Sequence, residues 1–240
     1  MTRLTTCPDA ESVAERAAAQ IVRQLARARE ERGVAHLALS GGTTPGRTYE
    51  LLAREPEALE GVEVWFADER CVAPDDPESN YRLAAEALLG PASIPAARVH
   101  RMRGELGPDN GASSYAQELA AGLPASADGL PVLDLIVLGI GPDGHVASLF
   151  PGAASLDAAA EAVCLGIVDS PKPPPERITL SLAVLRAARS CLLLATDASK
   201  ADAVSAMLGQ ESRHVPASLL RRGRLSVIVD DAAAPPGPRL

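Results

Sequence analysis

Three short polar segments of the chain carry residue types suited to chemistry on a small anion. Ser40-Gly41-Gly42-Thr43-Thr44 joins two glycines, which let a ligand approach the backbone, to three hydroxyls. Pro45 then reads as the first turn of a helix capped by Thr44. The unpaired N–H groups and dipole of such a helix start favour phosphate, although the Gly-Lys-Ser/Thr ending of a Walker loop is missing. Asp68-Glu69-Arg70 sets a guanidinium beside two carboxylates, so that Arg70 holds an anionic or carbonyl oxygen while Asp68 or Glu69 aims it. Asn80 and Tyr81 follow closely enough to reach the same place. Asp143-Gly144-His145 reads as a general base whose carboxylate tunes or orients the imidazole. Arg177 and Lys200 are further cations near strand ends, and a protein of net charge −8 must gather such cations locally to hold a phosphate.

The third segment also spells a dinucleotide fingerprint, since Gly139, Gly141 and Gly144 stand in GxGxxG spacing after a strand. Two residues oppose that reading. Asp143 would put a carboxylate beside a pyrophosphate, and Pro151 ends any helix about two turns after the loop. No nicotinamide or flavin is therefore expected.

These segments need elements to bring them together. Val13, Ala17, Ile21 and Leu25 recur every four positions and predict a helix over 9–32, stopped by Gly33. Strands are expected at 34–39, 62–66 and 133–138, the last a nearly continuous apolar run of the kind buried on both faces of a parallel sheet. Helices are expected from Thr44 to about Arg54, from Asp76-Pro77 to about Leu89, and over 109–122, with a short strand at 97–102. Later strands fall at 162–168, 177–182, 190–196 and 225–230, and later helices near 182–188 and 198–208. Ser170–Glu176 (S-P-K-P-P-P-E) must be a loop. This alternation predicts one α/β domain over residues 1–230, an open and mostly parallel sheet with helices on both faces, Rossmann-like. Residues 231–240 read as a flexible tail. Ligands of such sheets sit beyond the carboxyl ends of the strands, where all three polar segments fall.

Composition narrows the field of partners. With 47% hydrophobic and 22% charged residues, the chain is of ordinary globular usage, and with 2% aromatics its core is aliphatic. The acidic balance argues against nucleic-acid and membrane partners. There is no apolar run of membrane-spanning length and no signal-peptide core at the start. Cys7, Cys71, Cys164 and Cys191 are widely separated and show no metal-ligand spacing, so a cytoplasmic protein with free thiols and no metal is expected. No obligate protein partner is evident.

The ordered set S-G-G-T-T-P at 40–45, W-F-A-D-E-R at 65–70, S-N-Y at 79–81, G-I-G-P-D-G-H-V-A-S-L-F-P at 139–151 and R-I-T-L-S at 177–181 closely resembles the 6-phosphogluconolactonases over residues 5–230. The resemblance implies a fold shared with the glucosamine-6-phosphate deaminases and the hydrolysis of 6-phosphoglucono-δ-lactone, a sugar-phosphate lactone of the oxidative pentose phosphate pathway, without a cofactor. It makes His145 the base that activates water, Ser40, Gly41, Gly42, Thr43 and Thr44 the phosphate loop, Arg70 the arginine after D-E, and Lys200 the lysine of a late helix. Arg177 is carried over from the R-I-T-L-S motif. The deaminases have a carboxylate seven positions after the Asp of D-G-H, where this chain has Phe150, and D-E-Y where it has D-E-R. A ring-opening relay thus lacks its acid, while ester hydrolysis needs one base, water and an oxyanion partner, either Arg70 or backbone N–H groups. A non-enzymatic sugar-phosphate sensor is the remaining alternative. The acidic charge, the lack of room for a DNA-binding helix pair before residue 34, and the presence of D-G-H oppose it.

Overall fold

The structure, a computed structural model, describes residues 2–235. Nine strands and six α-helices alternate along these residues: β1 Arg3–Cys7, α1 Ala10–Arg32, β2 Ala35–Leu39, α2 Thr43–Leu52, β3 Val62–Phe66, β4 Asp68–Arg70, α3 Asn80–Ala84, α4 Pro108–Gly122, β5 Leu135–Gly139, β6 Cys164–Ile167, β7 Arg177–Leu180, α5 Leu182–Ala187, β8 Cys191–Ala195, α6 Ala201–Leu208 and β9 Leu225–Asp230. Six strands form one sheet in the order β1-β9-β8-β5-β2-β3. Every pairing in it is parallel. The buried strands read as unbroken apolar runs because helices cover the sheet; Leu135–Leu138 and Cys191–Ala195 are buried throughout.

Helix α1 forms where expected. The Asp9 carboxylate caps it by accepting the Ser12 N–H at 2.8 Å, and Gly33 ends it in the left-handed region at φ 79°. Its buried stripe, Val13, Ala14, Ala17, Ala18, Ile21, Leu25 and Ala28, contains four alanines. With so little side-chain bulk, the helix lies close against the sheet and α2.

A second, smaller sheet was not anticipated from sequence. β4, β7 and β6 pair antiparallel in the order β4-β7-β6, so the strands expected at 162–168 and 177–182 lie outside the parallel sheet. The reason lies in their connection. Only the proline-rich stretch from Val168 to Glu176 joins β6 to β7, too short for the helical crossover that parallel strands require. Helix α4 packs on this sheet: Gly166 of β6 lies so near Pro108 and Asp109 that a Cβ there would meet them.

Other boundaries differ for local reasons. The helix expected from Asp76 starts only at Asn80, with Ser79 as its cap, and continues as a π-helical turn over Ala85–Leu89. The strand expected at 97–102 is a 3₁₀ turn at Ala96–Arg98 followed by a single bridge from Val99 to Val64. The edge strand β1 was missed, since its sequence RLTTC has no apolar pattern and it pairs with β9 alone. Of the expected tail, Ala233 is fully buried and its N–H bonds the Asp230 carboxylate at 2.8 Å; residues 236–240 lie outside the described residues.

The scarce aromatics are used as pins. Tyr49 is fully buried, and its hydroxyl accepts the Ser40 N–H at 3.1 Å and donates to the Ser40 carbonyl at 2.9 Å. The Tyr115 hydroxyl accepts the Phe66 N–H at 2.8 Å. Two buried tyrosines thus fix the carboxyl ends of β2 and β3, where two of the polar segments begin. No helix among the described residues is long and apolar enough to cross a membrane.

Candidate active site

A cavity of about 280 Å³ opens beyond the carboxyl ends of the parallel strands. It is lined by Ser40, Gly41, Gly42, Asp68, Arg70, Asn80, Gly139, Gly141, His145, Ala147, Lys172, Arg177 and Lys200, among others. The three polar segments therefore do converge, together with both late cations. A wider groove of about 730 Å³ adjoins it, sharing Gly42, Arg70 and Asn80 and adding Thr43, Thr44 and Thr196.

At the loop after β2, the helix cap differs from the sequence reading. Gly42, not Thr44, is the N-cap of α2, with φ at 115°, a conformation that disfavours any side chain. No side chain caps this end. Thr44 lies inside the first turn and its Oγ1 bonds Thr196 Oγ1 at 2.7 Å, tying the loop to the end of β8. The first N–H groups of α2 thus remain available to an anion. Ser40 Oγ is buried without a hydrogen-bond partner among the described residues, and Ser40 lines the cavity.

The loop after β3 separates into two functions. Glu69 is buried, and its carboxylate accepts the N–H groups of Arg70 (2.7 Å), Asn80 (2.7 Å) and Tyr81 (2.8 Å) and the Ser79 hydroxyl (3.0 Å). It is a second cap for α3. Burial raises its pKa while these hydrogen bonds oppose the rise. Asp68 is likewise buried and held, with Oδ2 accepting from Ser148 Oγ at 2.8 Å and Oδ1 from Asn80 Nδ2 at 3.2 Å. Asp68, expected among the substrate contacts, lines the cavity and also holds Asn80 and Ser148. Tyr81 turns away, packing against Phe66 and under Arg101.

Arg70 donates from Nη1 to the Glu78 carbonyl at 2.6 Å, while its buried Nε has no partner among the described residues. Directly opposite it across the β4–β7 ladder stands Arg177. Like charges facing each other are unfavourable; burial, and then Arg70, lower the Arg177 pKa. An anion bound between them would relieve that repulsion. Arg177 also organises the proline-rich loop, giving Nε to the Pro174 carbonyl (3.0 Å) and Nη2 to those of Lys172 (3.1 Å) and Pro173 (3.0 Å). Lys200 follows Asp197, a non-glycine residue at φ 71° whose N–H bonds the Asp230 carboxylate and whose side chain caps Ser199. Burial lowers the Lys200 pKa, and Lys172 adds to the effect.

The loop after β5 holds the histidine–carboxylate pair. His145 Nδ1 and Asp143 Oδ1 are 2.6 Å apart. Burial alone would raise the Asp143 carboxyl, but hydrogen bonds and charge from His145 and Lys172 hold it well below the usual carboxylate range. Gly141 makes the pair possible: a Cβ there would collide with His145 Nδ1 and Asp143 Oδ1. Ala147, lining the cavity, has φ at 49°, a second strained non-glycine residue at this site. The imidazole packs on Phe150 at a centroid distance of 4.7 Å. The sequence reading missed Lys172, whose Nζ lies 3.1 Å from Asp143 Oδ1 and 3.3 Å from His145 Nδ1. One signal was available: Lys172 and Lys200 are the only lysines in a chain with 23 basic residues.

Cys71, beside Arg70, has its thiol pushed up to about 11 by burial and by Glu176 and Glu69, and it behaves as a small apolar group. The described residues contain no group of three or more His, Cys, Asp or Glu side chains able to hold a metal ion.

An oriented histidine–carboxylate pair facing a cavity rich in cations, at the carboxyl edge of a parallel sheet, defines an acid–base enzyme for a small phosphorylated substrate. The chain belongs to the family described as Glucosamine-6-phosphate isomerases/6-phosphogluconolactonase, whose pattern it matches over residues 8–229. It is 39% identical over 243 residues to the 6-phosphogluconolactonase of Streptomyces coelicolor, covering 96% of this chain and 93% of that protein. It is 40% identical over 210 residues to the 6-phosphogluconolactonase of Homo sapiens, covering 82% and 79% respectively. Among solved structures, 6-phosphogluconolactonase from Trypanosoma cruzi superposes with a TM-score of 0.86 at 26% identity, covering 97% of this chain and 96% of that one.

Proposed function

We propose that the protein hydrolyses 6-phospho-D-glucono-1,5-lactone to 6-phospho-D-gluconate, with His145 as general base. The observation that carries this reading is the 2.6 Å His145–Asp143 pair on a cavity also lined by four cations, Arg70, Lys172, Arg177 and Lys200. A carboxylate 2.6 Å from Nδ1 needs a proton between the two atoms, which in the neutral ring leaves the lone pair on Nε2. Nε2 removes a proton from water as its oxygen attacks the lactone carbonyl. The carbonyl electron pair moves onto oxygen, where Arg70 stabilises it. Collapse breaks the bond from the carbonyl carbon to the ring oxygen, and His145 returns its proton to that oxygen. The phosphate is held at the Ser40–Thr44 loop and the α2 N-terminus, with Lys200 and Arg177 supplying charge.

The similarity to proteins named 6-phosphogluconolactonase supports the choice of substrate. Phe150 supports it on chemical grounds. It occupies the position at which a ring-opening deaminase would need an acid, and its ring lies against the His145 imidazole. Proton release on opening of the lactone, read against an enzyme-free control, tests the proposal alongside ammonia release from glucosamine 6-phosphate. Acceleration of the first and none of the second is expected; the reverse pattern would overturn the reading.

A further inference from the structure

Lys172 reaches the base from a loop whose course is fixed by several contacts. Its N–H donates to Ser170 Oγ at 3.2 Å, its carbonyl accepts from Ser170 Oγ at 2.8 Å, and the same carbonyl accepts from Arg177 Nη2 at 3.1 Å. The ammonium is thereby delivered to the junction of the dyad, 3.1 Å from Asp143 Oδ1 and 3.3 Å from His145 Nδ1. Because Nδ1 already donates to Asp143, the shorter contact is the hydrogen bond and the longer one is electrostatic.

The two neighbours of the imidazole pull in opposite directions. Asp143 alone fixes the tautomer but also stabilises the imidazolium, which has no lone pair with which to activate water. An ammonium at 3.3 Å disfavours that second charge while leaving the hydrogen bond intact. The other charged groups around the cavity are three cations, Arg70, Arg177 and Lys200, and one carboxylate, Asp68, which is held by the neutral donors Ser148 and Asn80. We propose that Lys172 is a positioning residue for hydrolysis, placed so that Asp143 can orient His145 without holding it in the protonated, inactive form. This rests on His145 being the base, as argued above.

The test is the pH profile of kcat/KM for lactone hydrolysis, corrected for spontaneous opening, in wild type, Lys172→Met and Lys172→Arg. In Lys172→Met the acid limb moves up by about one pH unit, costing about tenfold in rate near pH 6 and little above pH 8. Lys172→Arg returns the limb toward wild type, because charge rather than shape is at work. A uniform loss at every pH with an unmoved limb, or a rise in KM alone, would overturn the proposal and make Lys172 a substrate contact or a structural residue. Imidazole nitrogen NMR of wild type gives a readout free of substitution: a neutral ring that carries its proton on Nδ1 is expected, and a neutral ring protonated on Nε2 contradicts the proposal. Failure of the base assignment is distinguishable, since His145→Ala would then retain turnover whatever Lys172 does.

Discussion

Two histidines in this molecule sit against carboxylates, and they differ in how much of the ring is left free. His100 has both ring nitrogens occupied, Nδ1 by Glu118 at 2.8 Å and Nε2 by Glu63 at 2.9 Å, and its ring stacks on Trp65 at 3.8 Å with a 9° interplanar angle. It joins β3 to α4 at the edge of the sheet. His145 has one nitrogen on Asp143, and Nε2 has no partner among the described residues. A histidine with two bonded nitrogens is a tie; one with a single oriented bond keeps a nitrogen free for chemistry. The comparison extends to the carboxylates. Glu69 accepts four hydrogen bonds and ends a helix, whereas Asp143 is shared between an imidazole and an ammonium.

Substitutions that disturb only the His145 side sharpen the contrast most. Gly141→Ala drives a methyl group into both members of the dyad, and a displacement of about 1 Å costs on the order of 100-fold in kcat. Steady-state kinetics beside a melting curve checks it, with a kcat loss that outruns any loss of stability. On the proposed mechanism Arg70→Ala removes a charged partner of the substrate, an interaction worth about 1.5–3 kcal/mol, or roughly ten- to a hundredfold in kcat/KM. A large fall in melting temperature with kcat/KM intact would instead make Arg70 a tie like His100.

The smallest effect lies in the pH dependence of stability. The Asp143 carboxyl is depressed in the folded protein, so its contribution is fully present above the unfolded value of about 3.9 and is lost as pH falls below it toward the folded value. The gap in urea stability between wild type and Asp143→Asn should therefore narrow from pH 5 to pH 3. A gap that widens on acidification would contradict the ion-paired carboxylate.

Much of this site was legible because each polar segment follows an apolar run. Ser40, Asp68 and His145 stand just past β2, β3 and β5, and a parallel sheet gathers such positions at one edge. The dyad was legible because its members are two residues apart. What stayed hidden depends on the path of the chain through space. Lys172 lies 27 positions from His145, on a loop whose prolines exclude helix and strand but do not indicate its direction. Glu69 could not be told from Asp68 or Arg70 as a reagent, since its capping role exists only once α3 begins eleven residues later. The helix cap at Gly42 was misplaced to Thr44 because a threonine before a proline is a stronger local signal than a glycine whose φ is set by the turn.

The central claim is that a free, oriented nitrogen separates His145 from His100, and one paired measurement addresses it. Lactone hydrolysis and urea denaturation would be followed for His145→Ala and His100→Ala side by side. The account predicts a loss of about 10²–10⁴ in kcat for His145→Ala with a fold of near wild-type stability. For His100→Ala it predicts turnover within about twofold of wild type and a loss of about 1–3 kcal/mol in stability, as Glu63 and Glu118 lose their shared partner. Near-normal turnover in His145→Ala would contradict it.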